Sequence, residues 1–293
     1  MSAAREASAA AVSALRLEPT SGYIGAEVGG VDLKQPLSAS LQEALRQALN
    51  EHQVLFFRDQ HLSLEEQKRL TAVFGPLNRV PYVEALADDP DVIAVLKEAE
   101  ETNVGVFGGE WHSDFSFLER PPAGSVLNAV EVPPYGGDTL WANQVAAYET
   151  LPAPLREIVD THNAVHAGTP YGVKHAPADP TRAGKSIRMT RGDPEADREV
   201  IKPIVRVHPE TGRKGLFVNP IYTVRIEGLS PEESATALRR LYRHCTRPDL
   251  TCRHRWRAGD IAVWDNRSTL HYALNDYDGQ RRLLYRTTFA DRD

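Results

Sequence analysis

The segment DIAVWDNRSTLHYALNDYDGQRRLLYRTTFA, residues 260–290, decides the architecture. DIAVWD (260–265) and RLLYRTTFA (282–290) are short runs of strand length, and a region rich in Asn, Asp and Gly separates them. Working back from this segment, SVLNAVEV (125–132), DTLWA (138–142), EVIKPIVRVH (199–208) and GLFVN (215–219) read as further short strands. Two helical segments interrupt them, 143–160 and 230–245. Many short strands with few helices predict a mainly β chain with some α, a barrel or sandwich carrying helices on its outside.

The first hundred residues are more helical. SLQEALRQALNEHQ, from Ser40, reads as an amphipathic helix opened by a Ser cap. VLFF (54–57) follows as a buried strand. A second helix over 62–75 has Ser63 at its cap, Glu66 at the capping-box position and Gly75 at its end. VIAVL (92–96) is another strand. The stretch 168–198 is rich in Gly, Pro, Asp and Arg and has little hydrophobic period, so it is expected to be a long loop, a candidate lid. Residues 1–15 are expected to be a flexible N-terminus rather than a transit peptide, and 16–293 a single domain.

The chain has 293 residues, 34 Lys and Arg against 40 Asp and Glu, and a net charge of −6. That balance provides no general attraction for nucleic acid or anionic membrane, so any bound anion must be held by a local cation cluster. No run of eighteen apolar residues exists, which argues against a membrane helix. Two cysteines, Cys245 and Cys252, are too few for a disulfide framework and suit reduced thiols in a cytoplasmic protein.

Several familiar motifs fail. AGKS (183–186) has Asp179 where a phosphate-binding loop needs its first glycine. GAEVGG (25–30) lacks dinucleotide-loop spacing, and HNAVH (162–166) has no partnering Glu and resembles a strand end. The informative stretch is GGEWHSDFSF, 108–117. On a strand, His112 and Asp114 would leave the same face and converge. A pattern of three letters arises by chance, but His271 offers a third ligand 159 residues later. Two His and one carboxylate on one face of a metal leave room for a 2-oxo acid and O₂, the arrangement of non-haem Fe(II) oxygenases. Arg282 and Arg286, four apart, share a strand face and could grip carboxylates, unless that strand is a solvated edge.

These motifs resemble, in order, the taurine dioxygenase and 2,4-dichlorophenoxyacetate dioxygenase family of Fe(II)/2-oxoglutarate oxygenases. The likeness runs from about 16 to 290 and includes GYIGAEVGGVDLKQPL, VLFFRDQ, GGDTLWANQVAAYETL, HPETGRKGLFVN, RIEGLSPEES and the segment 264–288. It implies a double-stranded β-helix, or jelly roll, with outer helices. It implies His112, Asp114 and His271 as iron ligands, and Thr139 and Arg282 as holders of the 2-oxoglutarate C5 carboxylate. Arg286 is then expected to face the anionic group of the prime substrate, with the backbone N–H of Phe115 beside that group. Dimers or tetramers are also implied.

Two positions depart from the taurine enzymes. Gly108 replaces an Asn that contacts the substrate amine, and Val80 replaces a His that contacts the sulfonate. Both changes make the pocket less polar, and 212–222 with 225–234 look closest to the aryloxyalkanoate dioxygenases, where a tyrosine at the Tyr222 position lies near the substrate carboxylate. The expected reaction is hydroxylation of a small anionic substrate, an aryloxyalkanoate or another carboxylate, sulfonate or sulfate ester. Succinate and CO₂ would form, with ether or C–S cleavage after hydroxylation. Taurine oxidation proper remains an alternative. A zinc hydrolase and a non-catalytic binding barrel are alternatives of other classes, and neither needs a 2-oxo acid cradle.

Overall fold

A computed structural model describes residues 15–174 and 185–292. Fifteen strands are described: β1 Arg16–Pro19, β2 Ala26–Gly29, β3 Val54–Phe57, β4 Ile93–Lys97, β5 Gly124–Glu131, β6 Thr139–Asn143, β7 Asn163–His166, β8 Val200–Pro203, β9 Val205–Val207, β10 Lys214–Leu216, β11 Thr223–Ile226, β12 Thr251–His254, β13 Ile261–Asp265, β14 Thr269–Ala273 and β15 Arg282–Phe289. The helices are α1 Ala39–His52, α2 Leu64–Phe74, α3 Gln144–Glu149, α4 Ala153–Thr161 and α5 Pro231–Cys245.

A seven-stranded sheet runs β1-β2-β3-β13-β5-β15-β4, and a three-stranded sheet runs β12-β6-β14. The side-chain period of two sorts the large sheet into two faces. Leu55, Phe57, Ile261 and Val263 join one core cluster with residues of α1 and α2, including Leu41, Leu45, Leu70 and Phe74. Their neighbours Val54, Phe56, Ala262 and Trp264 join another with Trp141 of β6. Trp141 meets Phe56 and Trp264 at ring distances of 5.3 and 5.9 Å, so the two sheets lie face to face. This is the jelly-roll core, with α1 and α2 covering the outer face of the large sheet. Helices α3, α4 and α5 bury a third apolar cluster with β7, β10 and β11. Fully burying a Leu such as Leu45 stabilises the fold by about 1.5–3 kcal/mol.

Local signals explain the helix ends. Ser63 and Glu66 form the reciprocal capping box at α2, and Ser230 with Glu233 repeats it at α5. The cap of α1 is Ser38 rather than Ser40: its side chain accepts from Leu41 N. The helix expected over 143–160 is broken in two. Asn143 caps α3 through Val145 N and Ala146 N, and Pro152, which has no N–H and restricts the residue before it, starts α4. The strand expected over 199–208 is also divided. β8 pairs with β7, whereas β9 pairs with β10. Strands β1, β11 and β12 have no clear apolar alternation in sequence and gain their identity from their partners, and β2 is too short for its Ala26/Val28 alternation to stand out.

Two expectations concern termini and loops. The N-terminal stretch 1–14 lies outside the described residues, and so does 175–184 of the candidate lid. The described parts of that loop are anchored. Gly168 N donates to Ala196 O at 2.7 Å, and Tyr171 and Ile187 are buried in an aromatic cluster with Phe115, Phe117 and Tyr222.

Candidate active site

His112, Asp114 and His271 come together, although not by strand alternation. His112 and His271 form an isolated antiparallel bridge, with His112 N donating to His271 O at 3.0 Å and His271 N to His112 O at 2.8 Å. Directly after it the chain turns. Phe115 sits at φ +48, in the left-handed region. The bridge sets the two imidazoles 4.1 Å apart, ring centre to ring centre, and Asp114, at the start of the turn, brings its carboxylate to both. Asp114 Oδ1 is 3.7 Å from Nε2 of each histidine. Among the described residues this is the one group of three His, Cys, Asp or Glu whose donor atoms all lie within 4.8 Å of one another.

The electrostatics match a cation site. His112 Nδ1–H donates to Glu110 O at 2.7 Å, which turns the Nε2 lone pair toward Asp114. Burial pushes the pKa of His112 down, and burial followed by the neighbouring His112 pushes that of His271 well down, so both imidazoles stay neutral. Burial alone would raise the Asp114 pKa, yet the Arg286 guanidinium, with the Ser125 hydrogen bond, outweighs it and holds the carboxyl well below its ordinary range. Two neutral imidazoles and one carboxylate, all buried, fit a divalent transition metal bound through Nε2, Oδ1 and Nε2.

The two arginines lie on β15, which is an inner strand between β5 and β4 rather than a solvated edge. Strand alternation turns Arg282 and Arg286 inward, 4% and 3% exposed, whereas Arg281 faces outward to Glu98 and Glu131. Nε of Arg282, and Nε and Nη2 of Arg286, are buried without a hydrogen-bond partner. Buried cationic donors left in this condition are costly unless an anion meets them. The Arg286 guanidinium carbon lies 5.4 Å from the Phe107 ring centre and 5.7 Å from that of Phe115, so two aromatic faces hold it. Thr139 Oγ1 accepts from Trp256 Nε1 at 3.0 Å, which leaves the hydroxyl proton for another acceptor.

A cavity of about 540 Å³ opens beside His112. Gly108, Phe107, Tyr171, Tyr222 and Ile221 line it, with Lys185 and Arg191 also in its wall. Gly108 sits at φ +74, and a Cβ there would stand 3.1 Å from Cε1 of His112. Tyr222 is buried, its hydroxyl 3.3 Å from that of Tyr171, and burial followed by Tyr171 raises its pKa well above the usual phenol value. Val80 is not in this cavity wall. It lines a separate recess of about 20 Å³ that it shares with Arg286. Sequence reasoning missed Ser125 and Asn266, which donate to Asp114 Oδ2 at 2.9 and 3.5 Å, and it missed Phe107 and Tyr171. No spacing marks these residues; Ser125 reads as one more strand position.

A jelly roll with a buried two-His, one-carboxylate cluster and inward arginines defines a non-haem metal oxygenase architecture. The chain belongs to the taurine catabolism dioxygenase TauD, TfdA family, whose model matches residues 16–288. It is 38% identical over 292 residues to an alpha-ketoglutarate-dependent sulfate ester dioxygenase of Pseudomonas putida, covering 99% of this chain and 94% of the relative. It is 33% identical over 296 residues to the alpha-ketoglutarate-dependent 2,4-dichlorophenoxyacetate dioxygenase of Cupriavidus pinatubonensis, covering 93% and 96%. The crystal structure of a taurine dioxygenase from Burkholderia xenovorans superposes with a TM-score of 0.78 at 36% identity, covering 95% of this chain and 90% of that one. The chain is thus a 2-oxoglutarate-dependent dioxygenase, an enzyme that uses 2-oxoglutarate and O₂. Among the described residues no helix is long and apolar enough to cross a membrane.

Proposed function

We propose that His112, Asp114 and His271 hold Fe(II), that Arg282 and Thr139 hold the far carboxylate of 2-oxoglutarate, and that Arg286 binds the anionic group of a sulfate ester. Bound iron would supply the oxygen activation that couples decarboxylation of the keto acid to oxidation of a substrate C–H bond. The protein's own part is to neutralise two anions in a dry interior and to orient the substrate carbon. Overall, 2-oxoglutarate, O₂ and the ester give succinate, CO₂ and an ester hydroxylated at the carbon bearing oxygen. That product is a hemiacetal-like sulfate, which collapses to an aldehyde and inorganic sulfate.

The observation that carries the reading is the convergence of three buried ligand atoms beside the Arg286 guanidinium, whose Nε and Nη2 have no hydrogen-bond partner. The cavity walls support an apolar substrate body, since Gly108 adds no polar atom and Phe107, Ile221 and the tyrosines supply aromatic and aliphatic surface. The similarity to a sulfate ester dioxygenase points the same way. Phe115 and Tyr222 would border the anion, and Val80 would pack behind Arg286. An aryloxyalkanoate is the second reading, favoured by the buried Tyr222 hydroxyl in the cavity wall.

The test is a panel of alkyl sulfates, phenoxyalkanoates and taurine, scored by succinate and sulfate release with Fe(II) and O₂. Alkyl sulfates are expected to give both products in equal amounts, and Asp114→Ala to give neither. Faster turnover of taurine would overturn the substrate assignment, and turnover without O₂ or 2-oxoglutarate would favour a hydrolase.

A further inference from the structure

Asp114 presents its two oxygens to different surroundings. Oδ1 faces both histidine Nε2 atoms at 3.7 Å and the Arg286 guanidinium at 3.1 Å. Oδ2 is held from the other side. Ser125 Oγ on β5 donates to it at 2.9 Å, and Asn266 Nδ2, in the turn between β13 and β14, at 3.5 Å.

The Asn266 amide has no freedom to reverse. Trp264 Nε1, which can only donate, bonds Asn266 Oδ1 at 2.9 Å, so Nδ2 must be the atom facing Asp114. The backbone of Asn266 is tied as well. Its N–H donates to Ala123 O at 2.8 Å, and its carbonyl accepts from Ser113 Oγ at 2.7 Å. Ser125, Asn266 and Trp264 are all buried.

We propose that Ser125 and Asn266 are positioning residues that restrict Asp114 to one metal-binding oxygen. The inference rests on the metal centre proposed above. A carboxylate free to rotate could chelate through both oxygens and fill a position that a 2-oxo acid or O₂ requires. Two donors on Oδ2 remove that choice and deliver Oδ1 alone to the face where the imidazoles converge. Partners of this kind set ligand orientation, and their loss typically weakens metal binding by about 10–100-fold.

The experiment measures Co(II) binding to the purified, metal-free full chain by the visible d–d absorption of cobalt, without turnover. Four proteins are compared: wild type, Ser125→Ala, Asn266→Ala and Asp114→Ala. Wild type is expected to bind one Co(II). Ser125→Ala is expected to bind about 10-fold or more weaker and with an altered band shape, because the coordination changes from one carboxylate oxygen toward two. Asn266→Ala should move in the same direction, and unfolding midpoints of the metal-free proteins report whether the fold is kept. Should Asn266→Ala not fold, Ser125→Ala decides the question, since it removes a single oxygen atom. Wild-type affinity and band shape in Ser125→Ala would overturn the positioning role, whatever its unfolding midpoint. Equal binding by wild type and Asp114→Ala would instead overturn the metal centre itself, so the two failures are distinguishable.

Discussion

Arg286 donates through Nη1 to Oδ1 of Asp114 at 3.1 Å, with both side chains almost fully buried. The proposed substrate-binding cation therefore donates to the same oxygen that is proposed to bind the metal. Nη2 and Nε of the same guanidinium have no hydrogen-bond partner, so they are the atoms open to an anion next to this pair.

Replacing Arg286 by Ala removes a charged pair of donors, which is worth about 1.5–3 kcal/mol per bond to a charged group. The KM for the sulfate ester is expected to rise at least about 10-fold, while the KM for 2-oxoglutarate stays within a few-fold. Arg282→Ala is expected to do the reverse. Steady-state kinetics with each cosubstrate varied in turn checks this, and equal damage to both constants in both variants would contradict the division of labour.

Gly108 carries a backbone angle, φ +74, that costs an ordinary L-residue about 1–2 kcal/mol. Asn tolerates that region better than Ala because its side chain bonds locally. Gly108→Ala should therefore lower stability more than Gly108→Asn, and both should weaken metal binding because the new Cβ presses on the His112 ring. Urea unfolding and cobalt titration of the two variants test the order; the opposite ranking in stability would rule out the backbone explanation.

His166 is fully buried, and burial, aided by the positive charge of Lys202, pushes its pKa down to about 3. In the unfolded chain it titrates near 6.5. Between those values the unfolded state holds a proton that the folded state refuses. Stability is thus fully present above about pH 6.5 and falls as the pH drops toward 3, by about 1.4 kcal/mol per pH unit for this residue. His112, His244, His254 and His271, also shifted down by burial, add to the same slope, and carboxylates with lowered pKa, such as Asp114 and Asp265, add to it mainly below about pH 4, so the substitution reads the His166 share. His166→Gln is expected to flatten the slope of unfolding free energy between about pH 6 and pH 4 by roughly one proton's worth. An unchanged slope, measured by urea titrations at several pH values, would mean that His166 is protonated in the native protein.

The chain's own order of residues settled the local elements whose cause is local. Ser63 with Glu66 and Ser230 with Glu233 start helices because the bonds they make span three residues. The alternation in Val54–Phe57 and Ile261–Asp265 assigns each side chain to a sheet face because the pleat repeats every second residue. The residue types of the proposed metal cluster, and the inward pair Arg282 and Arg286, were legible for the same reason and through the family resemblance. Tertiary structure alone decided the rest. It made His112 and Asp114 converge through an isolated bridge to His271 and a turn that starts at Asp114, not through strand alternation. It chose Ser125 and Asn266 as the partners of Asp114, moved Val80 behind Arg286, and recruited Tyr171 from a loop with no hydrophobic period. A hydrogen bond such as Asn266–Asp114, between residues 152 positions apart, and the removal of water that gives it strength, leave no periodic trace in a sequence, and nothing in the 11-residue step from Asp114 to Ser125 marks that pair either.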